Sequence, residues 1–275
     1  MPTLSDALIH WQSRGLPRLE AQMLLLHALH RATHDRAWLL AHDTDPLPAA
    51  SAARMQALAE RRLAGEPIAY LTGEKAFHGL TLHVDARVLD PRDDTETLVD
   101  WALALLPADA PRRVLDLGTG SGAIALAIAR QRPMARVVAV DASADALDVA
   151  AANAQRSALA IELRHGNWFA PLAGERFDVI ASNPPYIAEH DPHLTALTHE
   201  PRAALVSGPD GLDDIRHLVA HAATHLTPDG WLLLEHGWNQ AERVRDLLQA
   251  AGFAQVQSRR DLAGVERCSG GQRAP

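Results

Sequence analysis

The sequence is poor in cysteine and in lysine. Cys268 is the only cysteine in 275 residues, so no internal disulfide can form and a reducing compartment is expected. Lys75 is the only lysine, and arginine carries nearly all the positive charge. Lysine and arginine number 26 against 34 aspartates and glutamates, a formal net charge of −8. A non-specific grip on nucleic acid is therefore a poor candidate for the main activity. No apolar run reaches the ~18–20 residues needed to span a bilayer. The opening MPTLSDALIH has no basic start followed by a long apolar stretch, so no signal peptide is expected. There is no internal repeat and no low-complexity tract. These absences lead to the expectation of a cytoplasmic protein with no membrane partner and no direct nucleic-acid partner. What is present is 47% hydrophobic residues, enough for a full core, and a length that suits one large domain or two smaller ones.

Hydrophobic spacing divides the chain. Residues 1–65 read as helical: Leu4, Leu8 and Trp11 share one face, and Leu19, Met23, Leu26 and Leu29 repeat at helical spacing. DTDPLP (43–48) interrupts, and Ala49–Leu63 resumes the pattern. Leu80, Leu82 and Val84 then alternate with polar residues, as in a strand, with Val88 and Leu89 as the expected start of its return partner. Asp93-x-x-Glu96 has the form of a capped helix start, with the helix running to about Leu106. From Arg113 onward strands and helices alternate. Strands are expected at Val114–Leu117, Val137–Val140, Ile161–Leu163, Phe177–Ala181 and Trp231–Leu234. Helices are expected near Ala123–Arg130, Ala144–Gln155, Asp213–Leu226 and Gln240–Ala250. This alternation predicts an α/β fold with a doubly wound, mostly parallel sheet behind a small N-terminal helical bundle.

Residues 114–122 read VLDLGTGSG: a buried strand runs into Gly118, Gly120 and Gly122 and a helix follows. Glycines there allow a sharp turn and a close approach of ligand to main chain. The next strand ends at Asp141, near the ~20-residue spacing at which a carboxylate meets ribose hydroxyls in nucleotide folds. Gly118-x-Gly120-x-x-Ala123 also satisfies the dinucleotide fingerprint. The loop therefore indicates an adenosine ligand and leaves NAD and S-adenosylmethionine nearly tied, with plain βα packing as the ligand-free alternative.

Residues 182–186 read SNPPY and follow the strand expected beside the glycine-loop strand. Pro184 and Pro185 have no N–H, so the corner presents carbonyl oxygens without competing donors. Asn183 adds a side-chain oxygen. Two acceptors at fixed spacing can take both hydrogens of an –NH2 group and aim its nitrogen. Methyl transfer to an amide or exocyclic amine nitrogen needs this, because its lone pair is delocalised and attacks only when oriented and polarised. Tyr186 offers a flat face for a planar acceptor. A rigid loop-closing turn is the alternative reading of the prolines.

The segments RRLAGEPIAYLTGEKAFHGLTLHV (61–84), PRDDTETLV (91–99), VLDLGTGSGAIALA (114–127), SNPPYI (182–187), EPRAAL (200–205) and LLLEHGW (232–238) together resemble the bacterial release-factor glutamine methyltransferases, over nearly the whole chain. The resemblance implies a Rossmann-like class I methyltransferase domain over 92–275, a helical substrate-recognition domain over 1–72 and a hairpin linker over 73–91. It implies methylation of the glutamine side-chain amide in the Gly-Gly-Gln motif of class 1 peptide chain release factors, with S-adenosylmethionine as donor, no metal, and a monomer. By position, Gly118, Thr119, Gly120, Ser121, Gly122, Asp141, Trp168 and Asn183 would hold the donor. Asn183, Pro184, Pro185 and Tyr186 would cradle the amide, with Asn183, Pro184 and Tyr186 in the catalytic role. The sister activity on a ribosomal-protein glutamine, and a nucleic-acid amino-methyltransferase, share the chemistry and stand as alternatives.

The sequence departs from the family pattern in three places. Asn167 stands where Asp is usual, Asp90 where an apolar residue is usual, and ERCSGGQRAP diverges from the usual strand ending. The last contains Gly270-Gly271-Gln272, read here as a chance match in a flexible tail. Arg92, Asp93, Asp94 and Glu96 could line a substrate mouth or only cap a helix. His190, His193 and His199 lie in one stretch, but no cysteine or paired carboxylate completes a metal set. Residues 188–212 are expected to form a loop over the active site.

Overall fold

The computed structural model describes residues 2–274. The chain divides into two compact units, one of residues 1–74 with 196–199 and one of 75–195 with 200–275.

The first unit is helical: α1 (Leu4–Ser13), α2 (Arg18–Ala28), α3 (Arg36–Ala41), α4 (Ala49–Leu63) and α5 (Ile68–Thr72). A capping box starts α1, with Asp6 N–H donating to Thr3 Oγ1 (3.1 Å) and Thr3 N–H to Asp6 Oδ2 (2.8 Å). Pro17, Pro48 and Pro67 precede α2, α4 and α5 with φ between −55° and −60°, already suited to a helix entry. The core gathers Leu4, Trp11, Leu24, Leu25, Leu26, Met55 and Leu71. The face chosen from the spacing of α2 needs correction. Leu19 is 51% exposed, whereas Ala21, Leu24, Leu25 and Ala28 are sealed. Three adjacent leucines at 24–26 fit more than one helical register, and the packing partners choose among them.

A hairpin follows, β1 (Glu74–Phe77) with β2 (Leu80–His83). The partner of Leu80–His83 is thus the strand before it; Val88 closes a turn, its N–H donating to the Asp85 carbonyl (3.1 Å), and Leu89 lies in irregular chain. The two-residue connection explains this: His78 (φ 45°) and Gly79 (φ 76°) are both left-handed, as a tight hairpin turn of the right twist requires. The expected capping box at Asp93 is not formed either. Asp93–Thr95 is a 3₁₀ turn leading into α6 (Glu96–Leu105). Asp93 Oδ1 accepts from Lys75 (2.9 Å), and Glu96 Oε1 accepts from His78 N–H (2.7 Å).

The rest alternates: β3 (Arg113–Leu117), α7 (Ala123–Gln131), β4 (Arg136–Asp141), α8 (Ala144–Ser157), β5 (Glu162–His165), β6 (Phe177–Ser182), α9 (Asp213–Ala222), β7 (Leu226–Glu235), α10 (Ala241–Ala250), β8 (Phe253–Arg260) and β9 (Glu266–Arg273). The sheet order is β5-β4-β3-β6-β7-β9-β8. The first five are parallel, and β9 runs antiparallel to both neighbours. Leu115, Val138, Ile180, Leu232 and Leu234 form the centre of its core, with Ile215, Leu218, Val244 and Leu248 of the covering helices. The chain reverses direction across the sheet between β3 and β6, so the carboxyl ends of those strands open onto the crevice where doubly wound sheets bind ligands.

The C-terminal stretch is an internal strand and no flexible tail. Gly270 and Gly271 pair with Leu233 and Leu232 of β7. A Cβ at 270 would come within 2.6 Å of Leu232 O, and one at 271 within 2.8 Å of Phe253 Cβ, so both glycines are required by close packing. Glycine is depleted from strands, which is why the pattern read as tail. Among the described residues no helix is long and apolar enough to cross a membrane.

Candidate active site

The loop after β3 is shaped by left-handed glycines: Gly118 (φ 71°), Gly120 (φ 55°) and Gly122 (φ 83°). Asp116, fully buried in β3, anchors it from beneath. Its Oδ2 accepts from Thr119 Oγ1 (2.6 Å) and Ala125 N–H (3.2 Å), while its Oδ1 has no partner. Burial pushes this carboxyl up to about 7, against those two hydrogen bonds. Asp141 holds the loop from the side, taking Gly120 N–H on Oδ2 (2.8 Å) and Ser143 N–H on Oδ1 (2.9 Å). Asn153 of α8 completes the frame, donating from Nδ2 to the Ser121 carbonyl (2.9 Å) and the His83 carbonyl (2.9 Å).

These elements enclose a cavity of about 340 Å³ at the carboxyl edge of the sheet. Gly118, Gly120, Asp141, Trp168, Asn183 and Pro185, all expected at the site, line it together. The Trp168 ring lies against Gly118, where an added Cβ would stand 3.4 Å from it. Asn167, Val88, Leu89, Pro201, Ala203 and Ala204 supply further wall. Thr119, Ser121 and Gly122, also expected at the donor, do not line the cavity. The Thr119 hydroxyl is spent on Asp116, Ser121 is buried, and Gly122 packs so closely on Leu126 and Ala150 that a Cβ there would be 3.2 and 3.3 Å from them. Their work is to shape the loop.

The SNPPY corner leaves β6 with the Ser182 hydroxyl donating to the Leu117 carbonyl (2.7 Å). Asn183 Nδ2 donates to Thr95 Oγ1 (3.3 Å), which leaves Oδ1 on the opposite side of the amide. Pro184 and Tyr186 are not on the wall of the glycine-loop cavity. Tyr186 lines a second cavity of about 310 Å³ with Trp238 and Arg267, so the corner forms part of the wall of two chambers. The Tyr186 hydroxyl donates to Glu235 Oε1 (3.4 Å), and its carbonyl accepts from Gln240 Nε2 (3.0 Å). Burial, then the neighbouring Glu235 charge, push its phenol well above the ordinary range.

Other expected residues are placed elsewhere. Arg92 holds both oxygens of buried Glu200 (2.6 and 2.7 Å) and approaches Asp90 (3.4 Å), tying the segment before α6 to the EPRAAL stretch. Asp94 pairs with Arg267 (3.2 Å). Neither these nor Asp93 and Glu96 line the cavity. Sequence reasoning passed over Thr95, Glu235, Asn153 and Asp116. Asp116, Thr95 and Glu235 lay inside the quoted segments VLDLGTGSG, PRDDTETLV and LLLEHGW; Asn153 carries no spacing signal. Among the described residues no group of three histidines, cysteines, aspartates or glutamates is placed to hold a metal ion.

Residues 95–209 match the family Methyltransferase small domain, and residues 10–73 match the PrmC N-terminal domain. Among solved structures, a methyltransferase from Pyrococcus furiosus shares the fold, with a TM-score of 0.55 at 19% identity over 78% of this chain and 98% of that one. A T. thermophilus 16S rRNA N2 methyltransferase in complex with AdoMet and guanosine has a TM-score of 0.55 at 22% identity, over 73% of this chain and 49% of that one. Much nearer are proteins named release factor glutamine methyltransferase. That of Xylella fastidiosa (strain Temecula1 / ATCC 700964) is 52% identical over 97% of each chain. That of Bordetella pertussis is 53% identical over 94% of this chain and 95% of its own, and that of Escherichia coli (strain K12) 44% over 98% and 97%. With identity at this level sustained along nearly the whole of both chains, the protein belongs to the release factor glutamine methyltransferases.

Proposed function

We propose that this enzyme methylates the side-chain amide nitrogen of the glutamine in the Gly-Gly-Gln motif of class 1 peptide chain release factors, with S-adenosylmethionine as donor. The residues of the glycine-loop cavity fit that donor. An added Cβ on Gly120 would meet no heavy atom within 4 Å, so the main chain there is open to a ligand. Each Asp141 oxygen accepts one backbone N–H and keeps a lone pair for a ribose hydroxyl. The Trp168 face against Gly118 suits an adenine ring. When bound, the sulfonium supplies an electrophilic methyl group.

The observation that carries the reading is the pinned amide of Asn183. With Nδ2 held by Thr95, Oδ1 is an acceptor of set direction, and Pro184 contributes a carbonyl beside it. Together they take the two N–H groups of the substrate carboxamide and orient its nitrogen. Such orientation is worth up to ~7–11 kcal/mol when complete, and acceptors that meet charge developing on nitrogen add an electrostatic share. Tyr186, locked by Glu235 and Gln240, walls the corner on the side of the second chamber. The surplus proton of the methylated nitrogen passes to water, so no strong base is required. Residues 1–72 serve to grip a second surface of the release factor, joined through 73–91 to the catalytic residues 92–275, in a monomer working in the cytoplasm.

The test is transfer of labelled methyl to release factor, ribosomal proteins, RNA and DNA in parallel, with peptide mapping. Label on the Gly-Gly-Gln glutamine is expected. Asn183→Ala should lower kcat roughly 10²–10³-fold while donor affinity stays within about threefold. Label appearing only on RNA, DNA or ribosomal protein, or near-normal turnover by that variant, would overturn the reading.

A further inference from the structure

We infer that the second chamber, walled by Tyr186, Trp238, Asn239 and Arg267, seats the substrate's main chain beside the target glutamine and selects residues there that lack side chains. The inference deepens the proposed function and rests on it for the identity of the substrate. The place of the chamber follows from the sheet. The donor cavity lies at the carboxyl ends of β3 and β4, with Gly118 and Asp141 on its wall. The second chamber lies along the same edge beyond β6, lined by residues 186–188 after β6, residues 237–240 after β7 and Arg267 near the start of antiparallel β9. The two have no lining residue in common, and the 183–186 corner contributes to both walls. Methyl transfer is in line: the attacking nitrogen stands on the side of the carbon away from sulfur. A glutamine that meets the methyl group at the corner therefore brings its main chain in from the second chamber.

The lining limits what can bind. Its charged groups are all engaged within the protein. Arg267 pairs with Asp94 (3.2 Å) and Asp261 (3.0 Å), Asp210 holds Arg216 (2.6 Å) and Arg243, and His193 Nδ1 donates to Asp191 (2.6 Å). A charged substrate side chain finds no free counter-charge there. The uncommitted groups are neutral. Trp238 is 67% exposed, so its ring adds little to the core. Among the described residues, neither its indole N–H nor the exposed Asn239 amide makes a hydrogen bond within the protein. An amide offers both donors and an acceptor, and so complements the N–H and C=O of a peptide group. A flat indole face lies against a peptide plane only where no Cβ stands between them, and two successive glycines meet that condition. The loop that presents these groups is braced. His236 Nδ1 donates to the Gly237 carbonyl (3.0 Å), and Gly237 N–H donates to Gln240 Oε1 (2.8 Å). Gln240 Nε2 in turn donates to the Tyr186 carbonyl (3.0 Å). One side chain thus ties the loop to the corner, and the seat keeps a set spacing from the reacting amide.

The test is calorimetric titration of the full-length enzyme with full-length release factor, without donor. Two release factors are compared: the natural one, and one with alanine in place of the glycine that precedes the target glutamine. Trp238→Ala should weaken binding of the natural factor roughly 10–30-fold. In the wild type the change of glycine to alanine should cost roughly tenfold. In Trp238→Ala the same change should cost less than about threefold, because the ring that excludes the extra methyl group is gone. Donor affinity of the variant should stay within about threefold of wild type. A ring that only supported its loop would weaken both factors alike and leave the cost of alanine equal in the two enzymes. That equality, or binding of the natural factor by Trp238→Ala within about threefold of wild type, would overturn the seat. Because the titration involves no methyl transfer, its failure is separable from failure of the methylation assay.

Discussion

Replacing Asp116 by Asn should make the protein more stable than wild type at alkaline pH and no more stable at acid pH. Asp116 is fully buried under the glycine loop, with Oδ2 accepting from Thr119 and Ala125 and Oδ1 without a partner. Asn reproduces the protonated form: Oδ1 of the amide takes the two donors, and its NH2 stands where the lone oxygen stood. Burial lifts the carboxyl from an ordinary 3.8 to about 7. A raised folded value means that the native state binds the proton more tightly than the unfolded chain. The stabilisation is then fully present below the unfolded value and is lost as pH rises through the folded one. At ~1.4 kcal/mol per unit, the wild type should lose about 2.5 kcal/mol relative to Asp116→Asn between about pH 5 and pH 8. Urea unfolding of both proteins at the two pH values measures this as the change in their difference, in which the contributions of Glu235 and every other shared group cancel. The m-values should match. A difference constant within about 0.5 kcal/mol across the two pH values would show that Asp116 keeps its charge in the folded state, and the account of the loop's anchor would fall.

Gly120→Ala should fold with a loss of about 1 kcal/mol, the cost of a side chain at φ 55°, yet weaken donor binding tenfold or more, ~1.4 kcal/mol or above, because the methyl group enters the cavity; isothermal titration beside a thermal melt separates the two effects. Gly211→Ala should behave differently. Its Cβ would stand 2.3 Å from the Tyr186 carbonyl at φ 76°, so a loss of about 3 kcal/mol is expected in urea unfolding, with the Tyr186 corner displaced. Arg92→Ala leaves Glu200 and Asp90 buried without their cation. Since the Arg92 side chain is 37% exposed, the loss should be about 2 kcal/mol, below the ~3–5 of a fully buried pair. Burial raises both carboxyls, so the deficit should shrink as pH falls and they take protons.

Local pattern was enough to read most elements. The apolar runs at Val114–Leu117, Val137–Val140 and Phe177–Ala181 became β3, β4 and β6 within a residue or two, and Ala49–Leu63 became α4 with the same bounds. Their alternation with helices required a parallel sheet, because a parallel crossover needs a helix to return the chain. The errors fall where a local signal competes with packing. Leu19 fits the helical spacing yet faces outward. Asp93 and Glu96 have the capping spacing, but Lys75 and the His78 amide claim their carboxylates. Gly270 and Gly271 look unsuited to a strand until Leu232, Trp101 and Phe253 are seen crowding the places of their missing side chains.

The same division holds at the active site. The sequence by itself determined the chemistry on offer: glycines where the main chain turns left-handed, a carboxylate at Asp141, and a donor-free Asn-Pro-Pro corner, because these depend on residue type and chain-local spacing. Only the tertiary structure decided which way each group points. It turned Thr119 and Ser121 inward, set Tyr186 on a different chamber from Gly118, and linked Asn183 to Thr95, 88 positions away along the chain, and Tyr186 to Glu235, 49 positions away. A hydrogen bond is directional and short-ranged, so its partners are chosen by where the folded backbone sets them and leave no periodic trace in the order of residues.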